Sequence, residues 1–337
     1  MLSFLVTGGL GFIGSHVCVE LIKTGYRVII IDNLENSKIS VLDSIKYFDH
    51  KDNVIFYQKN ILDNIDYLFE NHDIYGVIHL AGLKAVNESV QNPLLYYDKN
   101  LNMLINLLKT MNKYNCKKLI FSSSCTVYGS LKAPFTEDMQ NIGCNISSSY
   151  GKTKYFQEQI LQDLYNSDKL WSIIILRYFN PVAAHESGLI GEDPNGVPNN
   201  LMPIIYKVIN GEYKELTIYG KDYDTYDGTC VRDFIHVVDL AKGHIKSIIK
   251  LLENNIFIYN LGTGNGISVL TLVNNFIKIN KITDFNYKFV DRRRGDVDIL
   301  YALTTKAENE LGWKAEKTLD DMCIDGYNYV KKINTKI

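Results

Sequence analysis

The first half of the chain alternates short apolar runs with longer segments of helical periodicity. The short runs are rich in Val, Ile, Leu and Phe and lack polar alternation, as is typical of strands covered on both faces. We predict strands at residues 4–7, 28–32, 54–58, 76–80, 118–122 and 172–177. Helical patterns lie between them, among them residues 13–23, which Gly25 closes, and residues 94–114. This repeated strand–helix order predicts an α/β fold with a doubly wound parallel sheet.

The pattern becomes irregular after about Pro181, where loops at residues 188–198 and 220–230 separate shorter elements. No internal repeat, low-complexity linker or charged tail divides the chain. We therefore predict a first domain over residues 1–180 and a smaller lobe, mainly over residues 181–337, that packs onto the sheet. Some segments of the second part are expected to return to the first domain.

Composition and charge exclude several classes of protein. Of the 337 residues 46% are hydrophobic and 22% charged, and the formal net charge of -2 argues against a nucleic-acid partner. No run of about 18 apolar residues occurs, so no membrane span is expected. The six cysteines are scattered without a CxxC pair, which gives little support to a metal site or a disulfide framework. Reduced thiols in a cytoplasmic protein fit better.

Three glycines follow the first predicted strand and open the first predicted helix. Gly8, Gly11 and Gly14 form a G-x-x-G-x-x-G pattern, which lets the backbone approach a pyrophosphate at the helix N-terminus. Asp32 ends the second strand, where a carboxylate accepts from a ribose 2′-OH and repels a 2′-phosphate. The alternative is a plain turn with a solvated Asp32. In this context of strand and helix we expect an NAD-binding site.

A second group of residues indicates proton-transfer chemistry. Ser122 and Ser124 lie at the end of the fifth predicted strand, and ligands gather at such strand ends. Tyr150 and Lys154 form a Y-x-x-x-K pattern that puts both on one helical face. A nearby ammonium and a positive nicotinamide ring favour phenolate and would move the pKa of Tyr150 toward neutrality. We expect Ser124, Tyr150 and Lys154 to be catalytic.

Other chemistry-bearing residues have structural interpretations. Tyr96, Tyr97, Tyr327 and Tyr329 are expected to be packing or surface residues. His79, at a strand end, is expected to be a satisfied structural histidine rather than a general base.

The glycine spacing resembles that of the extended short-chain dehydrogenase/reductase superfamily. The resemblance implies an NAD-binding Rossmann domain whose backbone at Phe12 and Ile13 touches the pyrophosphate. Asn60 stands where many relatives carry Asp, and its amide oxygen can still accept from the adenine amino group. The resemblance also implies that Ser122, Ser124, Tyr150 and Lys154 contact the dinucleotide. The further residues that it implies around the dinucleotide are Asn33, Asn36, Ser37, Ile61, Leu80, Ala81, Gly82, Lys84, Asn100 and Phe179.

Longer segments are similar in order to UDP-galactose 4-epimerases: residues 79–90, 176–182, 198–203, 227–237 and 293–296. This resemblance implies a UDP-sugar substrate. The residues it places around that substrate, beside Lys84, Ser124 and Tyr150, are Asn180, Asn200, Leu201, Tyr219, Arg232, Arg293, Asp296 and Leu300. Arginine forks suit a diphosphate because they donate two parallel bonds. Without the family, Arg232 beside Asp233 would be interpreted as a surface ion pair.

Two positions depart from the family pattern: Cys230 replaces a common glycine, and Arg294 replaces a common glutamate. Both put local loop geometry in doubt, not the reaction. Leu300 falls where the resembling epimerases carry a residue facing the sugar's 2-substituent. In the resembling epimerases a bulky Tyr at this position excludes an N-acetyl group, whereas a small Cys or Ser admits it. Because leucine is smaller than tyrosine but larger than cysteine, we expect UDP-glucose and UDP-galactose to be favoured over the N-acetylhexosamine pair.

The implied reaction interconverts UDP-glucose and UDP-galactose through a 4-keto intermediate with bound NAD and Tyr150 as the proton-transfer residue. The helices at residues 94–114 and 150–164 further imply a homodimer, since such helices pair across a dimer axis in the family. A 4,6-dehydratase shares this architecture but usually carries an Asp-Glu pair at the serine-rich strand end. A non-catalytic NAD-binding regulator would not need Ser124, Tyr150 and Lys154 together.

Overall fold

The computed structural model describes residues 1–293 and 296–334. Its strands begin and end close to the predicted positions, although β5 continues through the serines to Ser124 and β4 begins two residues before Gly76. The strands are β1 (Ser3–Thr7), β2 (Arg27–Asp32), β3 (Val54–Gln58), β4 (Ile74–His79), β5 (Lys118–Ser124), β6 (Ser172–Tyr178), β7 (Asn180–Val182), β8 (Leu216–Tyr219), β9 (Val231–Arg232), β10 (Phe234–His236), β11 (Ile256–Leu261), β12 (Ile267–Ser268), β13 (Tyr287–Val290) and β14 (Ile299–Leu300).

The helices follow the same order of elements. They are α1 (Phe12–Lys23), α2 (Ser40–Lys46), α3 (Asp66–Asn71), α4 (Val86–Gln91), α5 (Pro93–Lys113), α6 (Ser149–Ser167), α7 (Leu201–Ile209), α8 (Val237–Ser247), α9 (Val269–Ile279), α10 (Thr305–Leu311) and α11 (Leu319–Asn334). Gly25 follows α1 with φ +90°, a conformation that glycine adopts without steric cost, as its predicted role at the helix end requires. The Ser148 side chain caps α6 by accepting from the Gly151 N–H at 3.1 Å.

The predicted doubly wound parallel sheet is confirmed. Across the described part of the chain, seven strands form it in the order β11-β6-β5-β4-β1-β2-β3, and every neighbouring pair is parallel. The strand order reverses between β1 and β4, where Thr7 and His79 lie side by side. A crevice opens at the carboxyl ends of the strands at such a point, and this crevice is where dinucleotides bind in this architecture.

Apolar layers cover both faces of the sheet, because successive strand residues point to opposite sides. Phe4 and Val6 face a cluster that includes Val17 and Leu21 of α1. Leu5, between them, belongs to the opposite cluster with residues of α5 and α6. This burial on both faces explains why the strands lack polar alternation in the sequence.

The second part of the chain builds a smaller lobe and also contributes to the first. β11 pairs with β6 at the edge of the main sheet, and α8 packs on α1. The lobe's own apolar cluster joins α7, α9 and α11 to short two- and three-stranded sheets. No helix among the described residues is long and apolar enough to cross a membrane.

Candidate active site

A cavity lies at the switch point of the sheet, over the glycine loop. The residues expected around the dinucleotide that line it are Gly8, Gly11, Phe12, Ile13, Gly14, Asp32, Asn33, Asn36, Ser37, Asn60, Ile61, Leu80, Ala81, Gly82, Lys84 and Ser122. The expected residues Asn100, Ser124, Tyr150, Lys154 and Phe179 do not line it. The structure therefore brings most of the predicted dinucleotide residues into one cavity and places the catalytic candidates beside it.

The glycines are required by close backbone approach. Gly8 has φ +68°, and a side chain at Gly14 would place its Cβ 2.2 Å from the Gly8 carbonyl oxygen. Any larger residue at Gly14 would push the loop away from the first turn of α1. The N–H groups that open α1 thus remain accessible to a phosphate, as an anion site at a helix N-terminus requires.

Asp32 fixes the loops around the adenosine end of the cavity. Its Oδ2 accepts from the Leu10 N–H at 3.0 Å, and its Oδ1 accepts from the Leu34 N–H at 2.9 Å and the Ser37 hydroxyl at 2.8 Å. A carboxylate has about four lone-pair sites, so three bonds within the chain leave one for a ligand hydroxyl. The Asn60 amide oxygen similarly accepts from the Leu62 N–H at 3.0 Å and keeps a second acceptor site.

Lys84 joins the cavity to the second lobe. Its ammonium lies 2.8 Å from Oε1 of Glu192, a carboxylate that is 4% exposed. The same oxygen accepts from the amide nitrogen of Asn200 at 2.6 Å. Lys84 was expected at both the dinucleotide and the substrate, and Asn200 at the substrate, so Glu192 links residues of both sets. Sequence reasoning missed Glu192, because it lies in a loop whose residue types carried no recognisable motif.

The loop that carries Lys84 is held by α5. Asn100, expected at the dinucleotide, instead accepts from the Leu83 N–H at 2.8 Å and donates to the Leu83 carbonyl at 3.1 Å. Its amide also donates to the Thr153 hydroxyl at 3.2 Å, and only 2% of the residue is exposed. These contacts position the loop.

The catalytic candidates converge at the end of β5. The Lys154 ammonium donates to the Ser122 carbonyl oxygen at 2.7 Å and lies 6.0 Å from the centre of the Tyr150 ring. The Ser124 hydroxyl oxygen accepts from the Thr126 N–H at 3.2 Å and the Thr126 hydroxyl at 3.0 Å. Ser124 therefore has its acceptor sites occupied by Thr126 and points its own proton elsewhere. Thr126 is a further residue of this centre that the sequence reasoning did not single out.

Within the protein, burial opposes the lowering of the pKa of Tyr150 that is expected from Lys154 and a nicotinamide ring together. Burial raises the pKa of Tyr150 to about 12, and a hydrogen bond with Ser124 opposes that rise. Burial lowers the pKa of Lys154 to about 8, against the opposing effect of the Glu158 carboxylate. The expected lowering of the pKa of Tyr150 is thus not produced by the protein groups alone, because desolvation outweighs the hydrogen bond.

His79 has a structural role, as expected, but it is only partly satisfied, because its Nε2 is buried without a partner among the described residues. The Thr7 hydroxyl oxygen accepts from the Leu80 and Ala81 N–H groups, both at 3.2 Å, and lies 2.7 Å from Nδ1 of His79. The hydroxyl therefore donates to Nδ1, which leaves the proton of the neutral ring on Nε2. Burial lowers the pKa of His79 to about 3, so the ring stays neutral. It orders the start of the Lys84 loop through Thr7.

Tyr96, by contrast, is more than a packing residue. It is fully buried, and its hydroxyl accepts from the Ala85 N–H at 3.1 Å and donates to Glu88 at 2.7 Å. Tyr97, its neighbour, lies half-buried with its ring 6.2 Å from that of Phe156, which agrees with packing.

Three of the expected substrate residues lie in or beside β9 and β14: Arg232, Asp296 and Leu300. Arg232 in β9 donates through Nη1 to the carbonyl oxygens of Val231 at 2.9 Å and Val297 at 2.7 Å, and its Nη2 lies 3.7 Å from Asp296. Leu300 is the register partner of Arg232. The structure thus brings Arg232, Asp296 and Leu300 together.

The alternative of a surface ion pair at Arg232 and Asp233 is wrong. Both residues are buried, and the Asp233 carboxylate accepts from the Thr263 N–H and hydroxyl, both at 2.7 Å, and from the Gly264 and Ala302 N–H groups at 3.1 Å. Burial raises the pKa of Asp233, against these hydrogen bonds. Asp233 thus holds the loop at residue 263 next to Ala302, which lies just after β14, while Arg232 faces Asp296.

Aromatic and amide groups complete this side. The Arg293 guanidinium lies 4.6 Å from the centre of the Tyr219 ring, and Nε of Arg293 is buried without a partner among the described residues. Oδ1 of Asn180 is likewise buried and unpaired within the part of the chain described. Unpaired buried polar atoms are costly, and a ligand that bonds them removes the cost. Arg294 and Gly295 lie outside the described residues.

Phe179, Asn200 and Leu201 lie at element boundaries. Phe179 follows β6 and packs in a small apolar cluster with Cys125 and Phe135, against which Leu300 also packs. Asn200 is the N-cap residue of α7, and Leu201 begins that helix.

Among residues 1–293 and 296–334, no group of three His, Cys, Asp or Glu residues is arranged to hold a metal ion.

Known proteins are similar to this chain in sequence and in structure. A sequence model of the family described as GDP-mannose 4,6 dehydratase matches residues 5–325. The UDP-glucose 4-epimerase of Bacillus subtilis is 48% identical over 332 residues, 97% of this chain and 96% of that protein. That of Haemophilus influenzae is 49% identical and covers 98% of each chain. The chain belongs to the UDP-glucose 4-epimerase family.

A solved structure of the family agrees in fold. The UDP-glucose 4-epimerase from Bifidobacterium longum, in complex with NAD+ and UDP, is 48% identical. It matches this chain with a TM-score of 0.95, over 99% of this chain and 100% of that one. The resemblance to UDP-galactose 4-epimerases and to the extended short-chain dehydrogenase/reductase superfamily is thus confirmed over nearly the whole chain.

Proposed function

We propose that this chain is an NAD-dependent isomerase that interconverts UDP-galactose and UDP-glucose, and so serves galactose metabolism and nucleotide-sugar supply. The observation that carries the proposal is the meeting of Ser124, Tyr150 and Lys154 at the end of β5, beside the cavity over the glycine loop. Arg232, Arg293 and the unpaired amide oxygen of Asn180 supply polar groups for a nucleotide sugar in the adjoining lobe. The UDP-glucose 4-epimerases at 48–49% identity support this choice of substrate.

The cavity over the glycine loop fits NAD. The crowding of Gly14 against Gly8 keeps the first turn of α1 open for a pyrophosphate, and Asp32 retains an acceptor site for a ribose hydroxyl. Lys84 lines the same cavity and can turn from Glu192 toward a phosphate. NAD supplies a hydride acceptor and donor at its nicotinamide ring. The UDP-glucose 4-epimerase from Bifidobacterium longum, in complex with NAD+ and UDP, supports this assignment.

The protein groups would carry the proton and hold the sugar. Tyr150 as phenolate takes the proton from the 4-hydroxyl, and returns it to the same oxygen once the 4-keto sugar has turned over. Ser124, whose acceptor sites are taken by Thr126, donates to the sugar oxygen that gains negative charge. Because burial raises the pKa of Tyr150, the positive charge that favours phenolate comes from Lys154 and the nicotinamide ring together. No net oxidation occurs, so the dinucleotide stays bound through turnover.

The division of labour follows the fold. We assign residues 1–180, with β11 and α8, to NAD binding and residues 181–337 mainly to UDP-sugar binding. The sheet and glycine loop belong to the first part, and Asn200, Arg232 and Leu300 to the second. The reaction centre would then lie in the cleft between the two.

A homodimer is the proposed assembly. α5 and α6 pack against each other, and both present apolar side chains to solvent, with Leu94 81% and Phe156 43% exposed. Two such helices from each subunit would bury this surface across a two-fold axis, the commonest symmetry of soluble oligomers. Light scattering at micromolar concentration tests the assembly, and a monomer would contradict it.

We further propose a cytoplasmic location, which the six unpaired cysteines support.

The reaction is tested by incubating purified protein with UDP-galactose without added NAD. We expect UDP-glucose to form until equilibrium is reached. A 4-keto-6-deoxy sugar would instead show a 4,6-dehydratase, the activity named in the matching family model. No product, with NAD still bound, would show a non-catalytic regulator. Ser124→Ala provides a matched control, because it removes the hydroxyl from the reaction centre while leaving the cavity residues unchanged.

A further inference from the structure

The main chain on either side of Lys84 is tied to one face of α5. Before Lys84, the Leu83 N–H donates to the Asn100 amide oxygen at 2.8 Å. After it, the Ala85 N–H donates to the Tyr96 hydroxyl at 3.1 Å. Tyr96 and Asn100 are four residues apart, so they lie above one another on the same helical face. The loop therefore reaches the cavity with both of its neighbouring N–H groups bonded to α5.

The Tyr96 hydroxyl has a fixed role in this arrangement. Burial and the Glu88 carboxylate, which accepts from the hydroxyl at 2.7 Å, raise the pKa of Tyr96 well above its usual value. The phenol therefore keeps its proton at neutral pH and donates a hydrogen bond through it to Glu88. Its oxygen is then free to accept only, and the acceptor site is used by the Ala85 N–H. The direction of each bond follows from this chemistry.

The hydroxyl also joins two helices. Ala85 is the residue before α4, and Glu88 lies in the first turn of that helix. One buried phenol thus holds the start of α4 against α5, next to the residue that lines the cavity. Lys84 has a long flexible side chain, with 45% of it exposed, so the position of its ammonium depends on where the main chain places its Cα.

We propose that Tyr96 is a positioning residue for dinucleotide binding, which acts through Lys84. The proposal rests on the proposed function of Lys84 at the cavity. Removal of the hydroxyl leaves the Ala85 N–H without its acceptor, and the loop gains freedom on the side of Lys84 that Asn100 does not hold. The ammonium then spends less time at the cavity, and the bound dinucleotide dissociates faster.

The test compares dissociation of the dinucleotide from Tyr96→Phe, Tyr97→Phe and Lys84→Met. Reduced dinucleotide bound to each purified protein is chased with excess NAD, and the loss of its fluorescence gives the dissociation rate. A lost hydrogen bond to a buried group corresponds to roughly tenfold in such a rate. We expect about that increase for Tyr96→Phe, and less than about twofold for Tyr97→Phe, whose ring keeps its packing.

A double variant separates positioning from general support of the fold. If Tyr96 acts through Lys84, Tyr96→Phe adds no further increase in the Lys84→Met background. Equal increases in both backgrounds, or an unchanged rate in Tyr96→Phe alone, would overturn the inference. If Lys84→Met itself dissociates like the wild type, the assignment of Lys84 fails and the inference with it. If the dinucleotide dissociates faster from Lys84→Met but not from Tyr96→Phe, the inference alone fails.

Discussion

Lys154 donates to the Ser122 carbonyl oxygen across 2.7 Å, so the ammonium is anchored to the strand that carries Ser124. The lysine is only 5% exposed, and burial lowers its pKa to about 8. At pH 7 it therefore still carries its proton. The anchor holds that charge beside Tyr150 without consuming a carboxylate partner, which leaves it available to favour the phenolate.

This buried ammonium gives the free energy of unfolding a particular pH dependence. The pKa of Lys154 is lowered from 10.5 to about 8, so between these values the unfolded chain binds more protons than the folded one. The contribution of this residue to stability therefore rises with pH in that window. We expect wild type to gain stability over Lys154→Met from pH 8 to pH 10, measured by urea unfolding of dinucleotide-free protein. A constant difference would show that Lys154 does not titrate there.

Tyr150→Phe tests the proton-transfer residue. We expect turnover to fall by roughly 10²–10⁴-fold, the usual range for loss of a general acid–base group, because the ring stays and only the hydroxyl is lost. Bound dinucleotide and thermal stability should remain close to wild type. Tyr155→Phe, on the same helix, is the control and should keep nearly normal turnover. Near-normal turnover in Tyr150→Phe would remove it from the reaction.

Local spacing predicted much of this site. The strand ends, the crowded glycines and the pairing of Tyr150 with Lys154 depend on residues close in sequence, and the structure has them near the predicted positions. The pKa of Tyr150 could not be predicted in the same way. Its direction depends on how deeply the hydroxyl lies, which the folded chain sets and the spacing within one helix does not.

Contacts between distant segments were also beyond the sequence. Glu192 contacts Lys84, 108 positions earlier, and no motif marks either residue as the partner of the other. Tyr96 and Tyr97 are identical in type and adjacent, yet only the fold decides which hydroxyl turns inward. Asn100 carried the right chemistry for a ligand but is used to hold the Lys84 loop.

The cofactor prediction depends on Asp32. A carboxylate at the end of β2, with one acceptor site left, favours a free ribose hydroxyl and repels a phosphate there. Protein purified and then denatured should release NAD. Chromatography of the released nucleotide checks this, and NADP as the main species would show that Asp32 does not select the cofactor.

Two neighbouring alanines allow a test of backbone strain. Ala183 has φ +74°, whereas the φ of Ala184 is not positive. This left-handed region costs a residue with a Cβ roughly 1–2 kcal/mol. Both are buried, so replacement by glycine removes a buried methyl at either site. We expect Ala183→Gly to be about 1–2 kcal/mol less destabilising than Ala184→Gly, because it also relieves strain. Equal losses in chemical denaturation would show that the conformation carries no cost.

The position of Leu300 bears on which sugars enter. It is the last residue of β14, beside Arg232 in β9, and its side chain packs against the cluster that contains Phe179. Arg232 is a proposed diphosphate residue and Phe179 a proposed dinucleotide residue. Because Leu300 adjoins both residues, we expect it to border the space that a sugar between the diphosphate and the dinucleotide would occupy.

Leu300 should therefore restrict the volume available to the sugar's 2-substituent. A well-packed wall resists extra volume at a cost of roughly 1–3 kcal/mol, which would weaken turnover of N-acetylated sugars by about 5- to 150-fold. We expect UDP-glucose and UDP-galactose to be the preferred pair, and Leu300→Cys to shift kcat/KM toward the N-acetylhexosamine pair, because cysteine is smaller. Leu303→Cys, at an exposed position three residues on, is the control and should leave the ratio unchanged. Equal wild-type efficiency on both pairs would refute the exclusion. An unchanged ratio in Leu300→Cys would instead place Leu300 outside the wall, as a packing residue of the Phe179 cluster alone.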